Sequence, residues 1–360
     1  MKQPSLAASR LGSLDILRGL DLYFLLFLQP VLVSVLQAVD QPWARAIMYH
    51  FDHERWVGFR LWDLVMPLFL FMVGTSMPFS FAKYRNPGVP KGNVYKKILR
   101  RFLLLFLFGM IVQGNLLALD PSRLMIYNNT LQAIAVGYVI AALVILNCRV
   151  PVQILVCVLL MAIYWVPMAV NGDYSPEGNF AFAVDREVIG RFRGDLEYTW
   201  IWSSLTFGAT VLLGALAGQV IRSSRGTRSA GVLSLAGVGL IGAGLLASAA
   251  GMPIIKKLWT SSMTLYSAGW CFLLLGVFHY IVDCRGWSRG LGWLRIYGMN
   301  PITAYVLGEV VDFRSIVRSV SYGLEPILGD FYPAWLTFGN FLILFLILRC
   351  MYRREVFLKI

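Results

Sequence analysis

Ten stretches of this chain are too long and too apolar to be core segments of a water-soluble domain, and together they cover most of it. They run, to within a few residues, over 14–38, 61–82, 101–119, 129–147, 152–170, 200–221, 231–250, 260–282, 298–313 and 332–348. A helix needs roughly 20 predominantly apolar residues to cross the hydrocarbon core, and in lipid every backbone polar group must be satisfied internally. The expected fold is therefore all-α and integral to the membrane, with about ten transmembrane helices in a single domain over residues 1–360. Composition excludes the alternatives. Charged residues make up 14% of the chain, against roughly 25% in a soluble domain. The 33 Gly and 15 Pro are scattered through the apolar runs and form no low-complexity tract. Little chain is left outside the runs, so chemistry must sit in the bundle or at its mouths.

Ten crossings put both termini on one side. The loops then carry twenty Lys and Arg on the side of the termini and eleven on the other, and the positive-inside rule makes the termini cytoplasmic. This distribution accounts for the net charge of +13 without nucleic acid, which is not expected as a partner. The outer loop at 171–199 carries six acids, Asp173, Glu177, Asp185, Glu187, Asp195 and Glu197. The five cysteines show no CxxC spacing, so neither a structural disulfide nor a metal site is expected. The first apolar run carries Asp15, Arg18 and Asp21 and has no small-residue cleavage site, which reads as a retained helix and not a signal peptide.

Ionisable groups in membrane helices are costly, so they mark the bundle interior. Asp15, Arg18 and Asp21 share a helical face by i, i+3 spacing. They form either a structural ion pair at the interface or a polar wall for a phosphate-bearing cofactor, with Arg18 as the anion partner. His50, His53 and His279 are the only histidines. An imidazole is the side chain that takes and returns a proton near neutral pH, and His53 stands at an outer mouth, ten residues before Asp63. A carboxylate there can orient the ring. His50 lies one turn from His53 if the segment is helical, and His279 reads as structural.

Three further constellations are polar where lipid forbids it. Asn128-Asn129-Thr130-Leu131-Gln132 opens the fourth run, where a helix cap is the simpler reading. Lys256-Lys257-Leu258-Trp259 puts two cations on the side poor in them, as for an anionic substrate or a polarised carbonyl, with snorkelling the rival. Gly298-Met299-Asn300-Pro301 opens the ninth run, where Asn300 and a helix start can receive a phosphate or carbonyl oxygen. No GxxxxGK, HExxH or GxSxG occurs, and the single GxGxxG (Gly237, Gly239, Gly242) lies within an apolar run. Those glycines read as close helix packing. A base without a nucleophile motif suits direct group transfer to an amine or hydroxyl.

Five segments in register carry a resemblance: RLGSLDILRG from Arg10, HERWVGFRLWDLVMPLFLFMVG from His53, LQAIAVGY from Leu131, KKLWTSS from Lys256 and GMNPITAY from Gly298. The chain resembles the transmembrane acetyltransferases related to heparan-alpha-glucosaminide N-acetyltransferase. About a dozen residues precede the first run, as in a bacterial-type form without the family's luminal N-terminal domain, in the inner membrane. The usual Trp-Asn-Gly reads Trp56-Val57-Gly58 here.

The resemblance implies an acyltransferase that takes acetyl-CoA from the cytoplasm and acetylates a terminal glucosamine or related amino sugar on the far side. His53 would be the general base and Asp63 its support. Arg18, Asn300, Gln132, Lys256, Lys257 and Trp259 would contact the cofactor or the oxyanion. Acetyl-CoA, a glycan acceptor, lipid and a second copy in a homodimer are the expected partners, and no metal is expected. An O-acyltransferase of a cell-envelope polysaccharide and a secondary transporter are the alternatives.

Overall fold

The structure is a computed structural model and describes residues 11–85, 88–114, 116, 119–194, 197–224 and 226–358. Lys2, Arg10, Asp195, Arg225 and Lys359, all used in the charge and motif arguments above, lie outside the described residues. Fifteen helices are labelled here in chain order: α1 (Gly12–Val39), α2 (Pro42–His50), α3 (Leu61–Ser80), α4 (Gly92–Val112), α5 (Thr130–Asn147), α6 (Val150–Asn171), α7 (Phe180–Val188), α8 (Ser204–Ser223), α9 (Thr227–Ala249), α10 (Ser261–Cys284), α11 (Leu294–Met299), α12 (Pro301–Val310), α13 (Arg314–Ser321), α14 (Glu325–Leu328) and α15 (Tyr332–Arg353). No strand occurs among the described residues.

Eight of the apolar runs fall in helical segments long and apolar enough to cross a membrane: α1, α3, α5, α6, α8, α9, α10 and the stretch Arg314–Arg353 that ends in α15. The other two expected runs take different forms. Of the 101–119 run, residues 101–112 form the apolar half of α4, and residues 115, 117 and 118 lie outside the described residues; the first half of α4 carries Lys96, Lys97, Arg100 and Arg101, and its Leu99, Leu103 and Leu107 form an exposed stripe. The 298–313 run yields α12, only 10 residues long, about 15 Å at 1.5 Å per residue and half the hydrocarbon thickness.

The chain divides into two compact units. One comprises 1–40, 224–234 and 273–359, the other 41–223 and 235–272. In the first, α1 and α11 cross where glycines remove the side chains. A Cβ on Gly19 would lie 1.9 Å from the Leu294 carbonyl oxygen, and one on Gly298 would lie 1.9 Å from that of Asp15. Two of the sequence motifs thus meet as one helix crossing, the small-residue contact that membrane helices favour. His279 is buried in this unit with both ring nitrogens engaged, Nδ1 at 2.9 Å from Asp283 Oδ2 and Nε2 at 2.9 Å from Ser229 Oγ.

The second unit is organised by the crossing of α3 and α8. A Cβ on Gly74 would sit 1.9 Å from Val211 O, and one on Gly214 would sit 2.0 Å from Phe71 O. The two backbones are in contact, which fixes the height of α3. Of the GxGxxG glycines, Gly237 lies in the expected close helix contact, whereas Gly239 and Gly242 face nothing within 4 Å. Close packing between α9 and α10 occurs at Gly244, against Tyr266 N, and at Gly269, against Gly237 O. All five cysteines are free thiols.

Candidate active site

The segment from Phe51 to Arg60 is an irregular loop leading into α3. Gly58, at φ 129°, makes the turn. A side chain rarely adopts that conformation, and a Cβ there would meet Glu54 Cγ at 3.1 Å. The Gly58 N–H donates to Ile254 O (2.9 Å), and Trp56 Nε1 donates to Tyr174 O (2.7 Å). Within the loop, the Arg60 guanidinium binds Glu54 through both carboxylate oxygens (Nε–Oε2 2.9 Å, Nη2–Oε1 3.0 Å) and lies 3.7 Å over the Tyr49 ring. That paired contact holds the Glu54 carboxyl below the usual carboxylate range. Sequence reasoning did not find this clasp, whose only signal was opposite charges at 54 and 60.

Asp63 occupies the third position of the opening turn of α3. One of its oxygens, Oδ2, accepts from the backbone N–H groups of Arg60 (2.9 Å) and Glu54 (3.2 Å). The other, Oδ1, lies 2.8 Å from His53 Nδ1. The Asp63 side chain is 1% exposed and that of His53 39%. A buried carboxylate on Nδ1 fixes the tautomer with the proton there, which leaves Nε2 as the proton acceptor of the ring. His50 ends α2 and is exposed, and the chain then turns at residues 51–52, so the two histidines do not share a helix. The one-turn relation expected for His50 fails for that reason.

The Lys256-Lys257-Leu258-Trp259 segment is a rigid buried turn. Trp259 adopts φ 52° and is 1% exposed, and the Leu258 carbonyl accepts from Tyr164 Oη (2.6 Å) and Ser203 Oγ (2.9 Å). This turn delivers Lys256 to the histidine: Nζ lies 2.9 Å from His53 Nδ1, 3.2 Å from Nε2 and 3.5 Å from Asp63 Oδ1. Burial pushes the Lys256 ammonium down to about 8. Lys257 points elsewhere, to an ion pair with Glu197.

The other residues expected to touch a cofactor are placed as follows. Gln132 is fully buried; its Oε1 accepts from Asn128 N (2.8 Å) and its Nε2 donates to Ile126 O (2.7 Å). Asn129 caps α5, accepting from Leu131 N (2.9 Å). Trp259 Nε1 donates to Thr210 Oγ1 (3.0 Å). In the first unit, Asn300 clasps the C-terminal segment, donating to Val356 O and accepting from Leu358 N (3.0 Å each). Arg18 lies 3.9 Å from Asp15 one turn earlier. The structure therefore brings together His53, Asp63 and Lys256, while Gln132, Asn300 and Trp259 each have polar atoms bonded within the fold. Among the described residues no group of three or more His, Cys, Asp or Glu side chains gathers as a metal centre.

The family described as "Heparan-alpha-glucosaminide N-acetyltransferase, catalytic" matches residues 10–241. Human heparan-alpha-glucosaminide N-acetyltransferase is 23% identical over 367 residues, covering 84% of this chain and 53% of the human protein. The mouse protein of the same name is 30% identical over 115 residues, 32% of this chain and 16% of its own length. The chain thus spans about half the length of the human relative.

Proposed function

Because the chain belongs to the heparan-alpha-glucosaminide N-acetyltransferase catalytic family, we propose that it is a multi-pass membrane acyltransferase with His53 as its general base. Over its whole length the chain serves as one acyltransferase domain, in a bacterial inner membrane, with about ten crossings and both termini in the cytoplasm. Acetyl-CoA is the donor, reached from the cytoplasm, and the amine of a terminal glucosamine or related amino sugar on the far side is the acceptor.

One observation carries this reading: a partly exposed imidazole whose Nδ1 is held by a buried carboxylate. An amino sugar is protonated at neutral pH and is not a nucleophile until it loses that proton. That first proton goes to solvent, and His53 Nε2 takes a second one from the neutral amine nitrogen as it attacks the thioester carbonyl. The new C–N bond forms, the C–S bond breaks, and the proton passes from the imidazolium to the departing thiolate. Asp63 holds the ring in the accepting tautomer and stabilises the imidazolium while it exists. Arg18 serves as a phosphate partner for the nucleotide.

The test is acetyl transfer from acetyl-CoA to glucosamine by the purified protein, beside calorimetric binding of acetyl-CoA. Binding with His53-dependent transfer is the expected result. Absence of acyl-CoA binding overturns the acyltransferase reading.

A further inference from the structure

A histidine paired with a buried carboxylate alone would be stabilised as imidazolium, and an imidazolium accepts no proton. In this site a third group works against that pairing. Lys256 has a side chain 7% exposed, and its Nζ is almost equidistant from the two ring nitrogens. Imidazole nitrogens direct their hydrogen or lone pair in the ring plane and away from each other, and the Nδ1 direction is taken by Asp63. The ammonium therefore lies against the ring, beside both nitrogens.

With His53 neutral, the ammonium and the Asp63 carboxylate balance. With His53 protonated, two cations about 3 Å apart share one carboxylate, and a like charge within about 4–6 Å disfavours the charged form. We propose that Lys256 is the positioning residue that holds His53 in its neutral, proton-accepting form by opposing the carboxylate of Asp63. This deepens the proposed function and rests on its assignment of His53 as the base.

The other charged groups around the site are engaged elsewhere. Asp52 is engaged with the His53 backbone N–H (2.8 Å). Glu54 is turned to Arg60, and Lys257 to Glu197. Burial pushes the Tyr198 hydroxyl up to about 12, so it stays neutral. The contacts recorded for His53 among the described residues include no cation other than Lys256. Through neutral pH Lys256 remains predominantly an ammonium, which is where the opposition is needed. Once the imidazolium forms during transfer, the same repulsion favours passing its proton on to the thiolate.

The experiment is a pH titration of the imidazole resonances in full-length, histidine-labelled protein in lipid nanodiscs. With only three histidines in the chain, a His53→Gln spectrum assigns the His53 signals. Lys256→Met should move the His53 protonation midpoint upward by about one to three pH units, and the acid limb of kcat/KM should move with it. Lys256→Arg, which keeps the charge, should leave the midpoint near that of the wild type. If Lys256→Met does not fold, Lys256→Gln replaces it, keeping hydrogen-bond donors without charge. A neutral variant that loses turnover but leaves the midpoint unmoved overturns the proposal, because a packing role alone would do that. A shifted midpoint in a protein that transfers no acetyl group overturns the acetyltransferase reading and leaves the charge relationship standing.

Discussion

His53 and Asp63 are joined at 2.8 Å by a loop only ten residues long, and that loop is itself clasped by Arg60 and Glu54. His53 and Asp63 are thereby tied to the start of α3. The Lys256 turn is tied to this loop by the Gly58–Ile254 backbone bond.

His53→Ala should lower kcat by about 10²–10⁴-fold while leaving acetyl-CoA affinity within a factor of a few. Steady-state kinetics and calorimetry on the same preparation check this. Retained turnover removes His53 from the chemistry.

Asp63→Asn should be inactive for a different reason. An amide NH₂ facing Nδ1 reverses the tautomer and puts the proton on Nε2, so turnover should fall although the ring is present. Asp63→Ala should also destabilise the protein by about 1–3 kcal/mol, since the Arg60 and Glu54 N–H groups lose their acceptor. Thermal unfolding in detergent measures the difference, and equal activity of Asp63→Asn and wild type would refute the orienting role.

The Glu54 pairing implies a sign for acid sensitivity. Its folded carboxyl is held below the unfolded value, chiefly by Arg60. The pairing therefore contributes fully above the unfolded value of about 4.3 and is lost as pH falls through the folded one. Hydrogen exchange of residues 51–60 should be slow near neutral pH and faster in acid. Glu54→Gln should exchange fast in both, and a wild-type loop indifferent to acid contradicts the clasp.

Gly74→Leu should lower stability by about 1–3 kcal/mol or more, because the first added carbon already meets the Val211 carbonyl at 1.9 Å. Gly239→Leu, with nothing within 4 Å, should change it by less than about 0.5 kcal/mol. Parallel melting curves decide, and similar losses at both positions would contradict the assigned helix contact.

Arg18→Ala should weaken acetyl-CoA binding about tenfold or more while kcat at saturation holds, as expected for a residue that pairs with phosphate. Unchanged affinity in calorimetry removes Arg18 from the nucleotide site.

The sequence by itself determined the membrane class, the identity of most apolar helices and the pairing of His53 with Asp63, because these are local properties. Apolar length fixes a crossing, and the His53–Asp63 relation lies within one short loop and the first turn of the helix it enters. It also exposed Lys256 and Lys257 as cations out of place, but not which of them faces the histidine. Tertiary structure decided that: 203 residues separate His53 from Lys256, and the turn with Trp259 at positive φ sends neighbouring side chains in different directions. The same holds for Gln132, Asn300 and Trp259. As isolated polar or aromatic groups in apolar surroundings they look available to a ligand, and only the fold supplies Ile126, Val356 and Thr210 as their partners. The half-length α12 was legible only as the weakest apolar run, short and interrupted by Pro301 and Glu309, and the structure places its break at Asn300. Periodicity and apolar length are written in neighbouring residues, whereas charge balance in a site is set by groups that the chain brings together from far apart.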